Sequence, residues 1–143
     1  MKRILSIFLI IALIVPLSAC GKKDINIVMN DLQARLEEKF DYVICQEFNN
    51  DKTGVTGITV RIASKDVYDS LCFGKECDVT EIYMFWDVLR AQIDDVYKES
   101  IDFLEEEGRD DLSLVMSYVD DDTMNELIYV IYEGETYYEF MYD

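Results

Sequence analysis

Apolar residues along this chain recur with two different periods, and the switches between them divide it into elements. Ile25, Met29, Leu32, Leu36 and Phe40 recur at helical spacing with Asn30, Gln33, Arg35 and Glu37 between them, which predicts an amphipathic helix over 24–39. The period then falls to two. Phe40, Tyr42, Ile44 and Phe48 alternate with Asp41 and Glu47, and beyond the loop Asn49–Gly54 the residues Ile58, Val60 and Ile62 alternate with Thr59 and Arg61, the pattern of a hairpin. A second helical stripe follows: Ile82, Trp86, Leu89, Ile93, Tyr97, Ile101 and Leu104, with Asp78 and Glu81 as a capping pair and Gly108 as the stop. As one helix over 79–107 it would be about 43 Å long, against about 20 Å for a typical strand. Either it overhangs the sheet or its β-rich start, VTEIYMF, is not helical; the continuous helix is the reading adopted.

The last third reads as strands. Leu112, Leu114, Met116 and Tyr118 share one face, Asp120–Asp122 form a turn, and Leu127–Tyr132 is an apolar run. Glu133 and Gly134 then form a tight turn into a strand over Thr136–Tyr142. The order αββαβββ predicts an α+β fold, an antiparallel sheet of four or five strands with two helices packed on one face.

The first twenty residues carry a different pattern. Lys2 and Arg3 precede an apolar run, Ile4–Val15, that is too short for a membrane span and breaks at Pro16. Leu17, Ser18, Ala19 and Cys20, followed by Gly21, resemble the lipobox of bacterial lipoproteins. The resemblance covers the leader alone. It implies cleavage after residue 19 and a lipidated Cys20 carrying diacylglyceryl and, often, a further acyl chain such as palmitate. Two signals of this kind anchor stably where one chain would not. The expected organisation is a signal peptide over 1–19, an anchor and tether over 20–23, and one domain over 24–143, held at the cell membrane on its extracytoplasmic side. On so short a tether, Lys22 and Lys23 are positioned to meet headgroups or simply to stay solvated.

Charge narrows the function. There are 30 acidic and 13 basic residues and no histidine, a net charge of −17. Residues 1–19 hold two of the bases and no acid, so the remainder carries −19. Without histidine, Ser-His-Asp and Cys-His catalysis and the His-containing zinc sites are excluded. So acidic a chain has no groove for nucleic acid. Paired carboxylates suit glycoside hydrolysis, but with 30 acids any pair is uninformative, so no enzymatic activity is expected. No cofactor is implied.

Four features remain. Cys72 and Cys77 flank a glycine turn and are expected to form a disulfide outside the cytoplasm, with Cys45 a buried free thiol. Asn49, Asp51, Thr53 and Gly54 copy the first half of a calcium loop, but its twelfth position falls on Val60, which favours a plain turn. Glu105, Glu106, Glu107, Asp110 and Asp111 surround Gly108 and read as a solvated face or a cation collector. Tyrosines crowd the final hairpin. Strict alternation puts Tyr138, Phe140 and Tyr142 on one face and Tyr137, Glu139 and Met141 on the other, the second being the open face and the expected contact for a protein partner. The functional expectation is a non-enzymatic, membrane-anchored lipoprotein binding a protein. Its sharper form is an immunity or inhibitor lipoprotein facing a basic toxin or enzyme, and its alternative is a cation-responsive surface module.

Overall fold

The computed structural model of the chain describes residues 21–65, 79–122, 124 and 127–139. Two helices, α1 (Ile25–Glu37) and α2 (Val79–Glu106), lie on one face of a five-stranded sheet formed by β1 (Tyr42–Asn50), β2 (Val55–Ala63), β3 (Ser113–Val119), β4 (Leu127–Tyr132) and β5 (Glu135–Glu139). The α+β class agrees with the pattern in the sequence, and the order of the elements among the described residues follows it roughly. Asp24 caps α1 by accepting the Asn26 amide at 2.8 Å, satisfying one of the donors that a helix start leaves free. The expected Asp78–Glu81 pair lies outside the described residues.

The sheet is mixed, which corrects the expectation of an antiparallel one. In space its strands follow chain order, β1-β2-β3-β4-β5, and every pairing is antiparallel except β2–β3, which is parallel. The reason is α2. Alternation shows which face a strand buries but not its direction, and a helix between two strands returns the chain to the end where β2 began. Gly57 therefore lies beside Ser113, and Ile62 beside Tyr118.

The core is built from Val28, Leu32 and Leu36 of α1, from Trp86, Leu89, Ile93, Val96 and Leu104 of α2, and from the inward faces of β2, β3 and β4. Ile58, Val60, Met116 and Tyr129 are wholly buried. α2 is continuous from Val79, and its amino-terminal turns carry the exposed Met84 and Val88, 67 and 69 % accessible. Trp86 stands opposite the upper ends of β4 and β5, so the turns before it are the overhang that the length comparison requires.

Pairing and connections put the loops at two ends. The β1–β2 turn, the α2–β3 connection, the β4–β5 turn and the start of α1 share one end; the exit of α1, the start of α2 and the start of β4 share the other. On the outer face, Gly57 pairs with Phe48, and a Cβ there would stand 2.2 Å from the Ser113 carbonyl oxygen and 2.6 Å from the Phe48 ring. Only glycine lets β1, β2 and β3 meet at that point. Gly57→Ala is accordingly expected to cost about 1–3 kcal/mol through overpacking, read as a lower urea midpoint with an unchanged slope.

Candidate functional site

The open face of the sheet carries a shallow apolar groove of about 400 Å³ lined by Phe48, Val55, Val115, Val130, Tyr132 and Tyr137, with Asn50 and Thr53 at its rim. Tyr137 is the most exposed large apolar residue described, 82 % accessible. A tight turn delivers it there. Glu133 and Gly134 both have positive φ, 52° and 78°, as a two-residue hairpin with the twist of its strands demands, and Gly134 adopts this conformation freely.

Beyond the turn the ladder is irregular. Ile131 pairs with Thr136 and Val130 with Tyr138, so Tyr137 is an extra residue on β5. The bulge breaks the alternation used above to divide the tyrosines. Tyr138, opposite Val130, belongs to the outer side with Tyr137, while Glu139 turns to the helix layer. There Glu139 accepts the Trp86 indole N–H at 2.6 Å and meets Arg90 Nη1 at 3.3 Å. Tyr137 and Glu139 thus do not share a face, and Met141 lies outside the described residues. Glu139 is a fastening residue of α2 rather than part of an open surface. The neighbouring Thr136 hydroxyl stands 2.9 Å from the Tyr129 hydroxyl, which donates to Asp94 at 2.8 Å. Trp86, Arg90 and Asp94 fall four residues apart, one row of α2 holding the last hairpin. Nothing in the periodicity marks that bulge, so this row escapes sequence reasoning.

The other candidate residues divide as follows. Leu17, Ser18, Ala19, Cys20, Cys72 and Cys77 lie outside the described residues. In the hairpin loop, the Asn50 carbonyl accepts the amides of Thr53 and Gly54 at 3.1 and 2.8 Å, its side chain accepts the Lys52 amide at 3.1 Å, and Gly54 has a φ of 70°. These contacts organise a turn; among the described residues no group of three or more acids or cysteines is arranged to hold a metal ion. At the α2–β3 connection, two of the acids meet cations of the chain itself: Lys22 stands 3.3 Å from Asp111, and Lys23 pairs with Glu107 while lying 3.6 Å from Asp31 of α1. Both lysines thereby have acidic partners within the protein, with their side chains 63 and 43 % exposed.

A second groove, of about 500 Å³, runs between α2 and the β4–β5 turn past Asp94, Tyr97, Lys98 and Glu133. It brings together no nucleophile with a base. Among the described residues, no helix is long and apolar enough to cross a membrane. In comparisons with known proteins, no family model, no curated protein and no solved structure matches this chain.

Cys45 is a free, buried thiol on β1, its amide held 3.4 Å from the Gln33 side-chain oxygen. Burial pushes its pKa up to about 12, with the nearby Glu37 charge adding to the effect. Because only the thiolate is nucleophilic, Cys45 is expected to resist iodoacetamide at pH 8 in the folded protein and to react once urea unfolds it, as peptide mass spectrometry would register.

Proposed function

We propose that this protein is a non-enzymatic lipoprotein, held to the extracytoplasmic side of the cell membrane through Cys20, that binds a protein partner on the open face of its sheet. The observation that carries the reading is the placement of Tyr137 at the edge of the Phe48–Val55–Val115–Val130–Tyr132 groove, an aromatic side chain in water beside an apolar recess. Aromatic residues that gain a pocket on association are the usual anchors of protein interfaces. The surrounding charge selects the partner. A −17 chain that already pairs Lys22, Lys23, Lys39, Arg90, Lys98 and Arg109 with its own acids presents a strongly negative surface, which attracts basic proteins and repels acidic ones. An immunity or inhibitor role against a basic toxin or enzyme is the sharper form of this reading. The cation-responsive alternative is weakened because Glu107 and Asp111 are already met by Lys23, Lys22 and Arg109, and no group of three or more acids among the described residues is arranged to hold a metal ion.

The leader supports the membrane half of the proposal, and Cys20→Ala tests it: the variant is expected to lose metabolic labelling by palmitate and either to keep its leader uncleaved, read as a larger mass, or to be released without lipid. The recognition half is tested with a partner first identified by crosslinking from the anchored protein. Tyr137→Ala is expected to weaken that complex by about 2 kcal/mol, roughly thirtyfold in Kd, with the fold intact by circular dichroism. Added salt is expected to slow association more than dissociation. An unchanged Kd would remove the sheet face as the binding site.

A further inference from the structure

The acidic corner after α2 is organised around one buried cation. Gly108, with a φ of 69°, ends the helix and lets the Arg109 amide reach back to the Leu104 carbonyl at 2.8 Å. That reversal sends the Arg109 side chain inward, where the residue is only 8 % accessible. Asp111 grips the guanidinium with two oxygens, 2.9 Å from Nε and 3.3 Å from Nη2. The remaining nitrogen, Nη1, donates to the backbone carbonyl of Lys23 at 2.7 Å. The two ion pairs of Lys22 and Lys23 flank this bond on either side. Segment 22–24 is therefore held by backbone and by side chains, at a corner more than eighty residues away in sequence.

We propose that Arg109, oriented by Asp111, is a dock for the membrane tether, and that the docked tether makes the end of the domain carrying the hairpin turns and Gly108 its bilayer-facing surface. The inference rests on the lipid anchor at Cys20. From that residue to docked Lys22 the chain spans at most about 7 Å, whereas an undocked tether running free to Asp24 would reach about 14 Å. Docking thus halves the leash and fixes its point of attachment. Trp86, the sole tryptophan of the chain, lies about 32 Å along the α2 axis from Glu107 and so is carried away from the lipid. The facing end is acidic, with Asp51, Glu105, Glu106, Asp110 and Glu133 near the turns. Such a surface is repelled by anionic lipid within a Debye length of about 8 Å, so it is the short docked tether that holds this end toward the bilayer, and the orientation is expected to be clearest on zwitterionic lipid. Asp111 suits the post. The Arg109 hydrogen bonds hold its carboxyl down at about 2, so its charge is fully present above pH of about 4 and is lost only as the pH falls toward that value.

Two measurements on the full, lipidated protein test this. In detergent micelles, backbone order parameters for residues 22–24 are expected to be near 0.85, as for rigid backbone, and to fall below about 0.6 in Arg109→Gln and Asp111→Asn while core amide shifts stay in place. In zwitterionic vesicles, energy transfer from Trp86 to dansyl-labelled headgroups is expected to be weak and to rise in the same variants. Order parameters of a free tail in the unaltered protein overturn the dock, and no variant is needed to see it. Ordered residues 22–24 with transfer unaffected by the variants overturn the bilayer-facing assignment. An ordered tether in a chain that takes up no lipid supports the dock and overturns the anchor reading instead.

Discussion

The packing of this fold depends on the contact between Trp86 and the last hairpin. The indole is wholly buried, meets Tyr129 edge to face at a centroid distance of 6.1 Å, and donates its N–H to Glu139. A buried indole and a largely covered carboxylate are each costly without a partner, and here each supplies what the other lacks, with Arg90 completing the charge. The contact has architectural weight because, among the described residues, α2 is the element that lies between the two halves of the sheet. Seated by Trp86 over β4 and β5, the helix passes above the core and arrives at the corner where β3 begins. The position of Arg109, and through it that of segment 22–24, follows from that path.

Much of this was legible in the sequence, because burial imposes a period. Helical stripes located α1 and α2, alternation located β1 and β2, and Glu133-Gly134 located the final turn. What escaped has specific causes. Alternation carries no information on direction, so the parallel β2–β3 pairing was missed. A bulge adds one residue without altering composition, so Glu139 was placed with Tyr137 although it turns to the opposite face. Lys22, Lys23 and the acids around Gly108 were each visible, but as unrelated charges, since their pairing arises only when chain ends distant in sequence are folded together.

Charge in this protein is unevenly used. The described cations that enter ion pairs lie just before α1, around α1 and α2, and at the corner after α2. They hold structure. Exposed pairs of this sort add little stability individually, about 0–1 kcal/mol. Arg109 differs because it is buried and its partners include a backbone carbonyl, which makes the corner specific in geometry as well as sign.

The parallel joint between β2 and β3 also governs the order in which the sheet can be made. The β1–β2 hairpin and the β3-β4-β5 meander each pair locally, but β2 finds β3 only after the whole of α2 has been made, when Gly57 can meet Ser113. Closing so long a loop is entropically expensive before any pairing rewards it, and it slows folding relative to helical proteins of the same size. A nascent chain must therefore wait with one hairpin formed and no continuous core. Until β3 arrives, the apolar face of the β1–β2 hairpin stays without the cover of α2, and the interval before closure is when an unpaired strand edge is most open to wrong pairing.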